Sequence, residues 1–157
     1  MRRLLAPVAL LAVVVLALGG AASATDGSGK PRKAAKIAFL DVADEFEAVD
    51  VGVPGQSAGD LFVFENELRN RADTRTLGRF LATCTALVTP GLVSCRGTIQ
   101  LEDGTVEVAT AIDFGAGGPI LAAVTGGTER YRLVRGQLRL SEEKRPGVRD
   151  GTLELFR

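Results

Sequence analysis

The chain has 157 residues, with 19 lysines and arginines against 19 aspartates and glutamates, and no histidine. Balanced charge gives no sign-biased field, so neither nucleic acid nor an acidic membrane is an implied partner. The lack of histidine removes Ser-His-Asp and Cys-His triads, H-E-x-x-H metal sites and histidine general bases.

The first element in chain order is a leader. Arg2 and Arg3 precede an apolar run from Leu4 to Leu18, and small residues lead to Ala22-Ser23-Ala24. A basic start, a short apolar stretch and an A-x-A site predict a signal peptide over residues 1–24, cut before Thr25. The run is shorter than the roughly 20 apolar residues of a spanning helix and ends in glycines, so an uncleaved anchor is disfavoured. The expected product is secreted, with no membrane association after cleavage. It would carry 17 basic and 19 acidic residues, enough chain for one core and too little for two ordinary domains.

Residues 25–36 are polar, contain Gly, Ser and Pro, and show no periodicity, which predicts a flexible linker. From Ile37 to the end at 157 the apolar residues come in short runs set apart by turn residues. Strands are expected near 37–43, 60–69, 78–88, 92–101, 105–113, 119–125, 129–140 and 151–157. The turns between several of them have a mechanism, because proline pre-sets φ and glycine admits positive φ. Such turns are Val53-Pro54-Gly55, Thr89-Pro90-Gly91, Glu102-Asp103-Gly104, Gly115 to Pro119 and Arg145-Pro146-Gly147. No stretch holds helical spacing over three turns. Strands with short connections throughout imply an all-β barrel or sandwich.

Cys84 and Cys95 flank Thr89-Pro90 symmetrically in CTALVTPGLVSC. If Val88 opposes Gly91, then Ala86 opposes Val93 and Cys84 opposes Cys95 on one face. An oxidising compartment would join them, which agrees with export. With no C-x-x-C and no histidine, a structural disulfide is preferred to a redox or metal role. No metal site and no cofactor is expected: a P-loop motif is missing, and the glycines at 115–118 and 126–127 do not lead from a strand into a helix.

Two segments resemble a known family. Gly59-Asp60-Leu61-Phe62-Val63-Phe64-Glu65-Asn66-Glu67-Leu68 fits the G-D-L-x-x-F-x-N-x-L of the second strand of plant allene oxide cyclases. Ala123-Val124-Thr125-Gly126-Gly127-Thr128 followed by Gly136-Gln137-Leu138 is similar to the same family, and Val134-Arg135-Gly136 looks more like the related dirigent proteins. The likeness covers about residues 37–140. It implies an eight-stranded antiparallel barrel of allene oxide cyclase/dirigent type, typically a homotrimer, with an apolar cavity at one mouth. The implied function is binding of a hydrophobic small molecule and guidance of its isomerisation or cyclisation. The alternative is a non-catalytic carrier or assembly protein of the same fold.

The resemblance also suggests site residues. Asn66 matches the family asparagine that holds a bound water, and it shares a period-two face with Phe62, Phe64 and Leu68. Phe62, Phe64 and Asn66 are therefore the expected ligand-binding set, although Asn66 also reads as a core amide tying two strands. Asp41 stands where the cyclases have a first-strand glutamate, on a face with Ile37 and Phe39. Followed by Asp44, Glu45 and Glu47, it also reads as a solvated acidic strand end. The cyclase asparagine two positions on is Ala43 here, a departure from the epoxide chemistry. Arg135 corresponds to the dirigent arginine and completes the catalytic candidates Asn66, Asp41 and Arg135. In the expected 129–140 strand, Tyr131, Leu133, Arg135 and Gln137 share one face and Val134, Leu138 and Leu140 the other. Either could be interior, and Tyr131 is expected to pack.

Overall fold

The computed structural model describes residues 33–157. The expected leader at 1–24 and most of the expected linker at 25–36 lie outside the described residues. Eight strands follow one another: β1 Lys33–Val49, β2 Leu61–Arg69, β3 Thr76–Ala86, β4 Leu92–Leu101, β5 Gly104–Asp113, β6 Ile120–Gly127, β7 Arg135–Arg145 and β8 Val148–Phe156. Each pairs antiparallel with its sequence neighbours, and β8 pairs back onto β1, so the sheet closes into a barrel without edges.

Alternation drives the closure. In β4, Val93, Cys95, Gly97 and Ile99 are buried, while Ser94, Arg96 and Gln100 are exposed. In β6, Ala122 and Val124 are buried, while Leu121, Ala123 and Thr125 face out. A period of two on a curved sheet sends one set to the axis and the other to solvent. The outer wall is charged in places, with Arg79 bonded to Glu65 and Thr76 to Glu67 across β2 and β3.

β1 is the longest strand, at 17 residues, and serves two neighbours. Its first part, Lys33 to Val42, pairs with β8, and Leu40 to Val49 pairs with β2. Residues 33–36, assigned to the linker from composition, therefore belong to the barrel. A register shift between Ala43 and Glu45 marks a bulge. It sets Phe46 opposite Phe64 and Ala48 opposite Phe62, and it carries the strand past the expected end at residue 43.

The expected 129–140 strand needs correction. Glu129–Tyr131 form a short 3-10 turn, and β7 begins only at Arg135. Glu129 and Leu133 take positive φ, 48° and 65°, in the left-handed region outside extended backbone. The interior face of β7 is the one with Leu138 and Leu140, and Arg135 and Gln137 point outward. Tyr131 packs as expected, buried with Val134 in the main core.

That core fills the end of the barrel nearest the β6–β7 connection. Phe39, Leu68, Ile99, Val106, Val134, Leu138, Leu153 and Leu155 pack there with almost no exposure. Phe39 lies across Gly151, its partner on β8, where any Cβ would overlap its ring. Toward the other end a smaller cluster gathers Phe62, Phe64 and Ile112 around Cys84, Val93 and Cys95. Ala86 opposes Val93 and Cys84 opposes Cys95, as the turn spacing predicts, and the two cysteines are joined. In the chain-entropy model so short a closed loop contributes about 2–3 kcal/mol.

Candidate functional site

Small inner residues open the second half of the barrel. Ala43, Ala82, Gly97 and Ala122 reach the axis from four strands where the closed end places leucines and isoleucine, and a cavity of about 250 Å³ results. Its walls are largely apolar, with Phe64, Phe80, Val108, Ile112, Leu138 and Leu140 contributing. The disulfide faces it as well. At the mouth four phenylalanines meet. Phe46 tilts against Phe64 with centroids 5.1 Å apart and stacks near Phe62 at 6.4 Å, while Phe114 meets Phe62 edge-on at 5.9 Å. Phe46 is 61% exposed and Phe114 50%, so large apolar rings stand open beside the entrance.

Polar side chains are in the minority, with Glu45, Arg96 and Glu143 among them, and two on the inner face are joined. Asp41 is only 3% exposed, on the inner face of β1. The Asn66 amide, from the neighbouring strand β2, donates to Asp41 Oδ1 at 2.9 Å. Both residues line the cavity. Burial pushes the Asp41 carboxyl above the usual carboxylate range, because an ion loses water there that one amide does not replace. The Asn66 hydrogen bond and the charge of Arg149 act in the opposite direction without cancelling it. A carboxyl so placed keeps its proton to higher pH than a surface aspartate does.

Arg149, on β8, stands directly opposite Asp41 in the β1–β8 register and lines the same cavity. Its Nη2 donates to Glu143 Oε1 at 3.3 Å. Neither residue is a candidate from sequence, because Arg149 falls in the gap between the Arg145-Pro146-Gly147 turn and the expected strand at 151. β8 starts earlier, at Val148. Phe46 and Phe114 are missed for related reasons. One follows the bulge, and the other begins the β5–β6 connection.

The remaining sequence candidates separate. Phe64 lines the cavity, and Phe62 stands beside it in the mouth cluster. Arg135 is exposed on the outer face, and its Nη1 donates to the Val134 carbonyl at 2.8 Å. A place for it among the cavity groups is thereby corrected: β7 starts at this residue, and its inward positions are the even-numbered ones. Asp60, of the G-D-L motif, has a structural task. It accepts from the Val51 and Ser57 amides at 2.9 and 2.6 Å and from the Ser57 hydroxyl at 3.1 Å, pinning the 50–60 connection. Those backbone donors hold its carboxyl below the usual range.

No protein-family model and no curated protein matches the chain. Solved structures do. A pyocyanin demethylase superposes with a TM-score of 0.65 at 27% identity, covering 77% of this chain and 99% of its own. An exo-specific intermolecular Diels-Alderase gives 0.63 at 16%, covering 78% and 98%. A pterocarpan synthase dirigent protein gives 0.64 at 15%, covering 80% and 88%. Strand number, closure and these neighbours agree, and the chain has the eight-stranded barrel of the allene oxide cyclase and dirigent type.

Proposed function

We propose that this barrel binds a hydrophobic small molecule in its open half and guides an isomerisation or cyclisation there. The observation that carries it is the Asp41–Asn66 pair, a buried carboxyl held by one amide at the wall of an otherwise apolar cavity. Apolar walls confine the ligand and exclude water, and a fixed carboxyl in such surroundings acts strongly on a developing charge. Asp41 gives a proton to a ligand oxygen and regains one from another ligand atom, so atoms and oxidation state balance, as an isomerisation requires. Asn66 fixes the carboxyl and offers an amide to the ligand. The Diels-Alderase and dirigent neighbours support the reading through their shared barrel.

Export and assembly belong to the same proposal. The Cys84–Cys95 disulfide fits an oxidising compartment, in line with the expected leader. Ala111, Leu121 and Ala123 are exposed on β5 and β6, an apolar stretch of outer wall that suits packing in a homotrimer. A carrier of the same fold is the second reading, favoured by the predominance of apolar wall over polar groups.

The test begins with mass spectrometry of any ligand that co-purifies with the native protein, followed by binding and turnover in Asn66→Ala. Loss of one buried hydrogen bond to ligand should weaken binding or turnover by about 1–3 kcal/mol. Strong destabilisation with binding intact would make Asn66 structural and overturn the assignment. Binding without conversion would select the carrier.

A further inference from the structure

The cavity contains a cation whose hydrogen-bonding capacity is largely unspent. Arg149 has one hydrogen bond among the described residues, the 3.3 Å contact to Glu143. A guanidinium carries several N–H donors in a rigid planar fork, so most of those of Arg149 are free to meet an acceptor that enters the cavity. Its side chain is 30% exposed and that of Glu143 48%. The arginine is therefore the more enclosed partner, and the glutamate can turn into solvent at little cost. Asp41 does not take up the spare donors: it lies opposite on the inner face, yet its hydrogen bond is to Asn66.

We infer that Arg149 is the anchor for an acidic oxygen, so that the ligand is an apolar body bearing one carboxylate, phenolate or enolate. The inference rests on the cavity being the ligand site. The walls fit the apolar body, the guanidinium fits a planar anion in a bidentate contact, and Glu143 holds the arginine in place until the ligand replaces it. Such an anchor would fix which ligand atom faces the Asp41 carboxyl. It adds a cationic point of attachment to a cavity whose inner polar pair, Asp41 and Asn66, is an acid and an amide.

The experiment compares naphthalene-2-carboxylate with naphthalene-2-carboxamide by calorimetry on the full mature protein. The two probes share size and flatness and differ in charge. The carboxylate should bind on the order of tenfold tighter, since an ionised acceptor strengthens the contact with a guanidinium. In Arg149→Met the preference should fall to about unity, with carboxamide binding reduced much less. In Glu143→Gln carboxylate binding should strengthen severalfold, because a competing anion is gone. If Arg149→Met fails to fold by thermal melting, Arg149→Lys carries the test: charge without the fork should reduce the preference only in part. Equal affinity for both probes in the unaltered protein, or a carboxylate preference that survives Arg149→Met, overturns the inference alone. Binding of neither probe overturns it together with the ligand-binding role of the cavity.

Discussion

The two halves of the barrel are built from one alternation and differ in what reaches the axis. At the closed end the inward residues are Phe39, Leu68, Ile99, Leu138, Leu153 and Leu155, which interdigitate and leave no room. At the open end Ala43, Ala82, Gly97 and Ala122 occupy inward positions on the same strands or their neighbours. Closure of the sheet is indifferent to side-chain size, so the fold survives in both halves. Stability is concentrated where the large residues meet, and the site lies where small ones leave space.

The largest expected effect tests that division. Leu68→Ala, in the closed end, should lower stability by about 2–5 kcal/mol in chemical denaturation, the cost of lost burial plus a cavity. Phe114→Ala, at the mouth, should cost much less, although it removes more atoms, because half of that ring is already in water. Equal losses would mean that the mouth cluster is part of the core.

A second substitution sharpens the contrast from the other side. Ala82→Leu places a larger side chain into existing space and should change stability by less than about 1.5 kcal/mol, where the same enlargement in a packed core would cost more. Binding of an apolar probe should fall sharply. Retained binding would locate the ligand elsewhere.

The smallest effect concerns acid, and it separates two carboxyls. Asp41 has its folded pKa raised above 3.8, so the folded state holds the proton more tightly than the unfolded chain. Its contribution to stability is fully present below 3.8 and is lost as pH rises through the folded value. Asp60 is lowered, so its contribution is present above 3.8 and is lost as pH falls through its folded value. Melting against pH should therefore respond oppositely to the two replacements. Asp41→Asn should raise the melting temperature at neutral pH and leave it near the original in acid, whereas Asp60→Asn should lower it at neutral pH and matter less in acid.

The parity of β2 was fully legible in the sequence, because Phe62, Phe64, Asn66 and Leu68 repeat every second residue with no interruption. The disulfide register was legible for the same reason, with a proline turn as its reference point. Asp41 could be placed on an inward face from Ile37 and Phe39, but its meeting with Asn66 depends on how β1 and β2 are staggered, which no local pattern specifies. The bulge after Ala43 reverses parity within an acidic stretch that looks solvated, and so hides Phe46. Arg149 was hidden by a turn with a strong proline-glycine signal, beyond which pairing with β1 draws the strand back to Val148. The outward direction of Arg135 could not be read, because Leu133 interrupts the expected strand and either of its faces could have been interior.

The two-sided pairing of β1 bears on how the protein comes into being. Its first half meets β8, so Lys33 pairs with Phe156 and the two ends of the described chain lie side by side. The last ladder to form joins residues separated by nearly the whole domain, and the entropy of closing so large a loop must be met before that ladder contributes anything. A chain emerging N-terminus first can assemble its hairpins in succession. It cannot bury Phe39 under Gly151 until β8 has appeared. Until then β1 exposes a row of unpaired backbone groups, and the vulnerable period in this protein's life is the interval between its seventh strand and its eighth.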